Sequence, residues 1–279
     1  MKHNTLALTG ATDPEMIAIR AMLDKHGISH VQATKDGKPV HPGNSYGCDM
    51  PELPAGTTLL LIECRPEALS EDQRVFVMDH HRPGDPGYGR GAAEYWEASS
   101  LGQLVAYMQN DLGCAVEIKQ DMRVVAAMDH SFGAALQGVC PGVNREEVLE
   151  AKCEHIGLAT GYSSLAVENK TKQFRERLEA ASLVLLGECQ VRDLRGIDLG
   201  VGYSVDLLTA QLAATLLEVP ALFCHRDTAN GPTKNTLYNA PPEAVQHFME
   251  VWAPAQGLER IYGVPSRGYA GGYLLAAPE

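Results

Sequence analysis

Val75-Phe-Val-Met78 runs straight into Asp79-His80-His81, and Pro83 and Gly84 follow at once. An unbroken apolar run closed by turn-forming residues reads as a buried strand. Strands buried on both faces belong to sheets covered on both sides, which points to an α/β fold. The acid and the two histidines then stand at the strand's C-terminal tip, the edge where open α/β sheets bind ligands. Carboxylate and imidazole together suit Mn²⁺, Zn²⁺ or Fe²⁺.

The same arrangement recurs along the chain. Leu6-Ala-Leu8 reads as a short strand, Thr9-Gly-Ala-Thr12 as a turn, and Met16 to Lys25 as a helix stopped by His26-Gly27. Asp13-Pro14-Glu15 lies between them, and plain capping of that helix accounts for both acids. Thr57 to Ile62 is a second apolar strand and ends at Glu63; Pro66 to Arg74 has the composition of a helix leading back to Val75. Met122 to Met128 is an apolar run that fits helix or strand, and it ends at Asp129-His130. Acids at four places thus stand at or just beyond the end of an apolar segment: Asp13 with Glu15, Glu63, Asp79 and Asp129. Adjacent parallel strands would gather their tips within a few ångströms. Like charges so close repel and raise one another's pKa values. A pair of divalent cations about 3.5–4 Å apart relieves that repulsion and activates water for attack on phosphorus.

Residues 31–56 read as a hairpin or irregular connection, and Glu94 to Asn110 as a strong helix. Residues 145–182 read as helical. Beyond them come strands at Ala181 to Leu186, Val219 to Cys224 and Lys234 to Tyr238, and helices at Ser204 to Leu217 and Pro242 to Trp252. This divides the chain into a parallel-sheet α/β domain over 1–150, a helical link over 151–180 and a second, smaller α/β domain over 181–279. The formal charge is −12 and no block of Lys and Arg occurs, which argues against a track for duplex nucleic acid. A small anion held by local positive groups or metal ions remains open. Seven cysteines without a Cys-x-x-Cys pair suggest reduced thiols. With no signal-peptide pattern and no apolar run of membrane-spanning length, a cytoplasmic protein without membrane association is expected.

The order of these features resembles the DHH phosphoesterase superfamily. Asp13-Pro-Glu15 falls where that family has an Asp-x-Asp, Glu63 where it has a lone Asp, and Asp79-His80-His81 on its name-giving motif. Glu97-Ala-Ser-Ser-Leu-Gly-Gln-Leu-Val resembles its Ala-Ser-Ser helix, Asp129 matches its last acidic position, and Arg267-Gly-Tyr-Ala-Gly271-Gly272 resembles its smaller DHHA1 domain. The resemblance implies a metal-dependent phosphoesterase in which a metal-activated water attacks a nucleotide-type phosphoester: a short oligonucleotide, a cyclic dinucleotide or a nucleoside bisphosphate. It implies two Mn²⁺ or Mg²⁺ ions, with Asp13 on one and Glu15 on the other. Glu63 would bridge them, and His80 and Asp129 would complete the second site. His81 would face the phosphate, Asp79 would orient the histidines, and Arg267, Gly271 and Gly272 would hold the substrate's phosphate or its far end. Short single-stranded nucleic acid and a homodimer are both compatible with it.

The departures keep other readings open. Glu15 and Glu63 stand where the family has aspartates, Thr9 where some members have a histidine, and Tyr273 where a histidine usually follows the glycines. A nucleotide-binding or regulatory module without turnover is the alternative, and an inorganic pyrophosphatase a third. His130 reads equally well as a packed ring or a site residue. His225-Arg226-Asp227 reads as a surface loop, Cys64 as a small apolar residue, and Ser99-Ser100 as a cap.

Overall fold

A computed structural model describes residues 4–70, 72–189, 191–201, 204–226 and 231–274. Asp227 and the apolar tail after Leu274 lie outside them. The chain divides into two compact units, residues 1–148 and 149–279.

The first unit is built on four parallel strands. They are β1 (Thr5–Thr9), β2 (Ser29–Gln32), β6 (Thr58–Ile62) and β8 (Val75–Met78), in the order β2-β1-β6-β8. Minor pairs flank them: β3 (Thr34–Lys35) with β4 (Lys38–Pro39), and β5 (Tyr46–Cys48) with β7 (Arg65–Pro66). The central strand β6 is Leu59-Leu-Leu-Ile62 with no exposed residue, as a strand covered on both faces requires. Ala7, Leu60, Ile62 and Met78 pack against helices α1 (Pro14–Lys25) and α3 (Ser100–Asn110) through Met16, Ile19, Leu23, Leu101, Leu104 and Met108. Leu8, Leu59 and Leu61 meet Val40, Cys48 and Cys64 on the opposite face.

The register decides what the sheet can do. Thr9 is level with Ile62, and Ile62 with Met78, so three strands end side by side. The chain leaves β1 for β2 on one side and later returns to β6 on the other. The switch point of the sheet therefore lies between β1 and β6, where strand ends diverge and a ligand crevice forms.

Two sequence expectations change here. Pro66 to Arg74 forms no helix among the described residues; β7 and irregular chain occupy it. Pro66 is used in a strand pairing, which helical propensity of the residues after it does not override. The helix expected over Glu94 to Asn110 is two: α2 (Tyr95–Ala98) and α3, parted at Ser99 with ψ 150°. Ser99 Oγ caps α3 by accepting from Gly102 N at 3.0 Å. A helix α4 (Gln120–Leu136) then covers the ambiguous Met122 to Met128 run.

Helix α5 (Arg145–Thr160) and helix α6 (Ser164–Ala180) follow. The second unit holds a mixed five-stranded sheet: β9 (Arg195–Val201), β10 (Ala221–Arg226), β11 (Thr233–Tyr238), β12 (Glu259–Val264) and β13 (Tyr269–Leu274), in the order β12-β13-β11-β10-β9. Phe174 and Leu178 of α6 pack with Ala210, Ala213 and Ala214 of α7 (Ser204–Leu217) under Phe223. Leu222, Leu237 and Ala270 meet Val245 of α8 (Pro242–His247) and Phe248 just beyond it. The strand expected at Ala181 to Leu186 is reduced to isolated bridges at Leu183 and Leu186. The edge strand is β9 instead, whose three Gly and Asp residues obscured it. Among the described residues no helix is long and apolar enough to cross a membrane.

Candidate metal centre

The level strand ends set three acids around the switch point. Asp13 follows β1, caps α1 by accepting from Met16 N at 2.7 Å, and hands the chain to Glu15 in the first helical turn. Glu63 follows β6 and takes φ +53°, a left-handed conformation that a side-chain-bearing residue rarely adopts. Gly10 makes room for it: a Cβ on Gly10 would lie 2.5 Å from the Glu63 carbonyl oxygen. Asp79 follows β8.

Asp129 arrives differently. It lies on helix α4 and not at a strand tip, so of the two readings of the apolar run before it, helix is the one the fold adopts. The helix breaks just beyond it, at Ser131 with φ −150° and ψ 56°.

Glu15, Glu63, His80 and Asp129 each place a ligand atom within 4.8 Å of the others, and Glu63, His80 and His81 form a second, overlapping group of that kind. His80 Nε2 is 3.0 Å from Asp129 Oδ2 and 3.9 Å from Glu63 Oε1. Glu15 and Glu63 are buried and face one another closely enough to share a proton. Glu15 Oε1 accepts from Leu101 N at 3.1 Å, but no N–H or hydroxyl among the described residues donates to Glu15 Oε2 or Glu63 Oε1. Burial, and then the charge of Asp129, pushes the Glu15 carboxyl well above its usual range. Burial, and then Asp13 and Asp129, does the same to Glu63. Burial and Asp129 push Asp13 up to about 6. Orphaned buried oxygens and mutually repelling carboxylates are what a divalent cation satisfies, so these residues fit one.

Asp79 is spent otherwise. Its Oδ1 accepts from His80 N at 2.7 Å and His81 N at 3.1 Å, and lies 2.9 Å from His81 Nδ1; its Oδ2 accepts from Tyr46 Oη at 2.7 Å. Burial works upward on this carboxyl, but the His81 and Tyr46 bonds and the His81 charge outweigh it and hold it below the usual range. Asp79 therefore orients His81, and Gln103 brackets the Asp79 backbone, accepting from its N and donating to its O. Arg82 stacks on the Tyr46 ring at 3.4 Å.

Tyr46 and Gln103 escaped sequence reasoning. Tyr46 sits in an irregular segment with no pattern, while Gln103 lies one turn beyond the Ser99 cap and was within reach of a helical reading. Thr9 accepts from Arg20 Nε at 3.1 Å and donates to the Val31 carbonyl. His130 is buried beside His80, with Nδ1 to Nδ1 at 3.2 Å.

In the second unit, Arg267 ends a short 3₁₀ turn, with its guanidinium 5.6 Å from the centre of the Tyr269 ring. Gly271 and Gly272 lie on β13. A Cβ on Gly271 would lie 2.3 Å from Tyr262 Oη, and one on Gly272 3.2 Å from Leu258 Cβ. Protein side chains therefore occupy the space both glycines leave. His225 is buried, 3.4 Å from Thr236 Oγ1, and is not a surface loop residue.

No family model matches this chain. None of the curated proteins matches it. Among solved structures, a pGpG-specific phosphodiesterase, PggH of Vibrio cholerae, aligns over 97% of this chain and 93% of its own, with 10% identity and a TM-score of 0.41. A likeness at that level assigns neither family nor substrate. What the chain itself displays is a buried cluster of carboxylates and imidazoles, able to hold a metal ion, at the switch point of a parallel sheet.

Proposed function

We propose that this chain is a metal-dependent phosphoesterase of the DHH type that hydrolyses a nucleotide-type phosphoester with an activated water. The observation that carries the reading is the pair of buried oxygens on Glu15 and Glu63 that no N–H or hydroxyl of the described residues reaches, grouped with His80 and Asp129. Glu15, Glu63, His80 and Asp129 are the proposed ligands, with Asp13 at their margin extending the set toward a second ion. Mn²⁺ or Mg²⁺ bound there would lower the pKa of water and offset charge on the phosphoryl oxygens. The chain's own residues do the rest. Asp79, fixed by Gln103 and Tyr46, holds His81 by Nδ1, which turns the other ring nitrogen to a phosphoryl oxygen. Arg267 is the proposed anion contact of the second unit. Gly271 and Gly272, first read as substrate contacts, serve packing against Tyr262 and Leu258 in this proposal.

A binding module without turnover has one observation in its favour. Glu15 and Glu63 face one another closely enough to share a proton, which relieves part of the repulsion that a metal ion would otherwise offset. Hydrolysis of bis-p-nitrophenyl phosphate, short RNA and DNA oligomers, cyclic dinucleotides, adenosine bisphosphate and pyrophosphate, with and without Mn²⁺, separates the readings. Metal-dependent product formation lost in His80→Ala is expected. Ligand-induced stabilisation with no product from any substrate would favour the binding module, and turnover confined to pyrophosphate would reassign the substrate class.

A further inference from the structure

The turn between β1 and α1, which delivers Asp13 and Glu15, is held by a cation on the helix it starts. Arg20 lies on α1, one turn beyond Met16. Side chains of a helix lean toward its N-terminus, so Arg20 reaches back over the turn that precedes α1. Its half-buried guanidinium donates three hydrogen bonds there. Nε donates to Thr9 Oγ1 at 3.1 Å, Nη1 to Thr12 Oγ1 at 2.9 Å, and Nη2 to the Gly10 carbonyl at 3.0 Å. Three separate nitrogens thus grip the turn from its first residue to its last.

What Arg20 grips is tied in turn to the strand ends. Thr9 Oγ1 donates to the Val31 carbonyl at 3.1 Å, and the Thr9 carbonyl accepts from Ala33 N at 2.8 Å, which fixes the turn to the end of β2. Gly10 N donates to the Ile62 carbonyl at 2.8 Å, at the end of β6, and Gly10 abuts the Glu63 carbonyl so closely that a Cβ has no room. Thr12 directly precedes Asp13, whose Oδ1 accepts from Met16 N. The turn therefore stands between Glu63 on one side and Asp13 with Glu15 on the other. Its sequence, Thr9-Gly-Ala-Thr12, offers little stiffness of its own, since glycine leaves the backbone free. The guanidinium supplies the missing constraint.

We propose that Arg20 is a positioning residue for the metal centre: its guanidinium clamps the β1–α1 turn and so fixes where Asp13 and Glu15 stand against Glu63. The consequence for metal affinity rests on the phosphoesterase reading above, whereas the clamp itself does not. Lysine keeps the charge but gathers its donors on one nitrogen, which cannot span three acceptors spread along a turn. The planar fork, and not the charge, is what the turn requires.

The test follows hydrogen exchange of the metal-free protein by NMR and pairs it with calorimetric titration of Mn²⁺. Wild type, Arg20→Lys and Arg20→Met are compared. In the wild type the Arg20 Nε–H should exchange slowly, as a bonded and half-buried group does. In both variants exchange at Gly10 N–H and Met16 N–H is expected to rise about tenfold. Leu59 N–H, which donates to the Arg74 carbonyl elsewhere in the sheet, should keep its wild-type rate. The Mn²⁺ dissociation constant should rise about 10- to 100-fold in both variants, with the number of ions bound per chain unchanged. A merely structural role moves the other quantity: fewer chains bind, and those that do bind as tightly as before. That outcome overturns the proposal, and so does unchanged exchange at Gly10 and Met16 in folded variants. Wild-type behaviour of Arg20→Lys also overturns it, because the charge alone would then suffice. A fast-exchanging Arg20 Nε–H in the wild type overturns it even if neither variant folds. If exchange rises at Gly10 and Met16 but the wild type takes up no Mn²⁺, the metal reading fails while the hold of Arg20 on the turn stands.

Discussion

Glu63→Gln is expected to stabilise the metal-free protein while abolishing the proposed metal-dependent chemistry. Glu63 is buried, its Oε1 has no hydrogen-bond partner, and it is crowded by Asp13, Asp129 and Glu15. A neutral amide removes the cost of either charging or protonating a carboxyl that the fold holds against ionisation. The amide keeps the length of the side chain, and the left-handed backbone at this position is unchanged. The same substitution removes a proposed anionic ligand shared by both metal-capable groups. Turnover should fall on the order of a thousandfold, about 4 kcal/mol of barrier. Trp96 packs against the first unit's core and Trp252 against the second's. A Trp252→Phe background therefore lets tryptophan fluorescence follow the first unit alone. Its melting temperature, after treatment with EDTA, should rise in the Gln variant. A fall would mean that Glu63 is a structural acid and that the cluster is not frustrated. Trading stability for function in this way is common at active sites.

The second large effect is a reversal in the pH dependence of stability. Asp13, Glu15 and Glu63 all have folded values raised above the ordinary carboxyl range. Between that range and the raised values, the folded protein binds more protons than the unfolded chain. Stability of the metal-free first unit must then increase as the pH falls from 7.5 toward 5. Asp13 alone, moving from 3.8 to about 6, corresponds to at most about 3 kcal/mol, less what solvent screening removes from a partly exposed group. Asp79 has the opposite sign. Its folded value is lowered, so its contribution is complete above the unfolded carboxyl pKa and is lost as the pH falls through the folded value. Stability should therefore peak between roughly pH 4 and 5. With 1 mM Mn²⁺ the slope above pH 5 should change sign, because the ligands must be deprotonated to bind and protons then compete with the ion. Melting curves from pH 5 to 8, with EDTA and with Mn²⁺, measure both slopes. Parallel curves would contradict the account.

Much of the first unit was legible because its signals are local. Leu59-Leu-Leu-Ile62 reads as a buried strand from composition alone, whereas Val75-Phe-Val-Met78, read the same way, is the half-buried edge strand β8 with only Met78 buried; the acids beyond both mark their ends. Register was not legible: nothing in the sequence says that Thr9, Ile62 and Met78 stop level, yet this is what gathers Glu15, Glu63 and His80. Asp129 was found by its place after an apolar run, although the run is a helix. The capping reading of Asp13 and the site reading are both true of one residue, since Oδ1 caps α1 while the charge of Asp129 still raises its pKa. Tyr46 was hidden, and His130 left open between packed ring and site residue, because each makes a long-range contact, to Asp79 and to His80, that no spacing encodes. The second unit was harder. A glycine-bearing edge strand such as β9 lacks apolar alternation, and the space left by Gly271 looks like a ligand cradle until Tyr262 is seen to fill it.

The most direct measurement is anomalous diffraction at the manganese edge from crystals grown with Mn²⁺. An anomalous peak is predicted within about 2.5 Å of both a Glu63 oxygen and His80 Nε2, with Asp129 or Glu15 completing the ligand set. A well-ordered cluster in which Glu15 and Glu63 remain paired and no peak appears near His80 would contradict the claim that these buried acids exist to hold a metal.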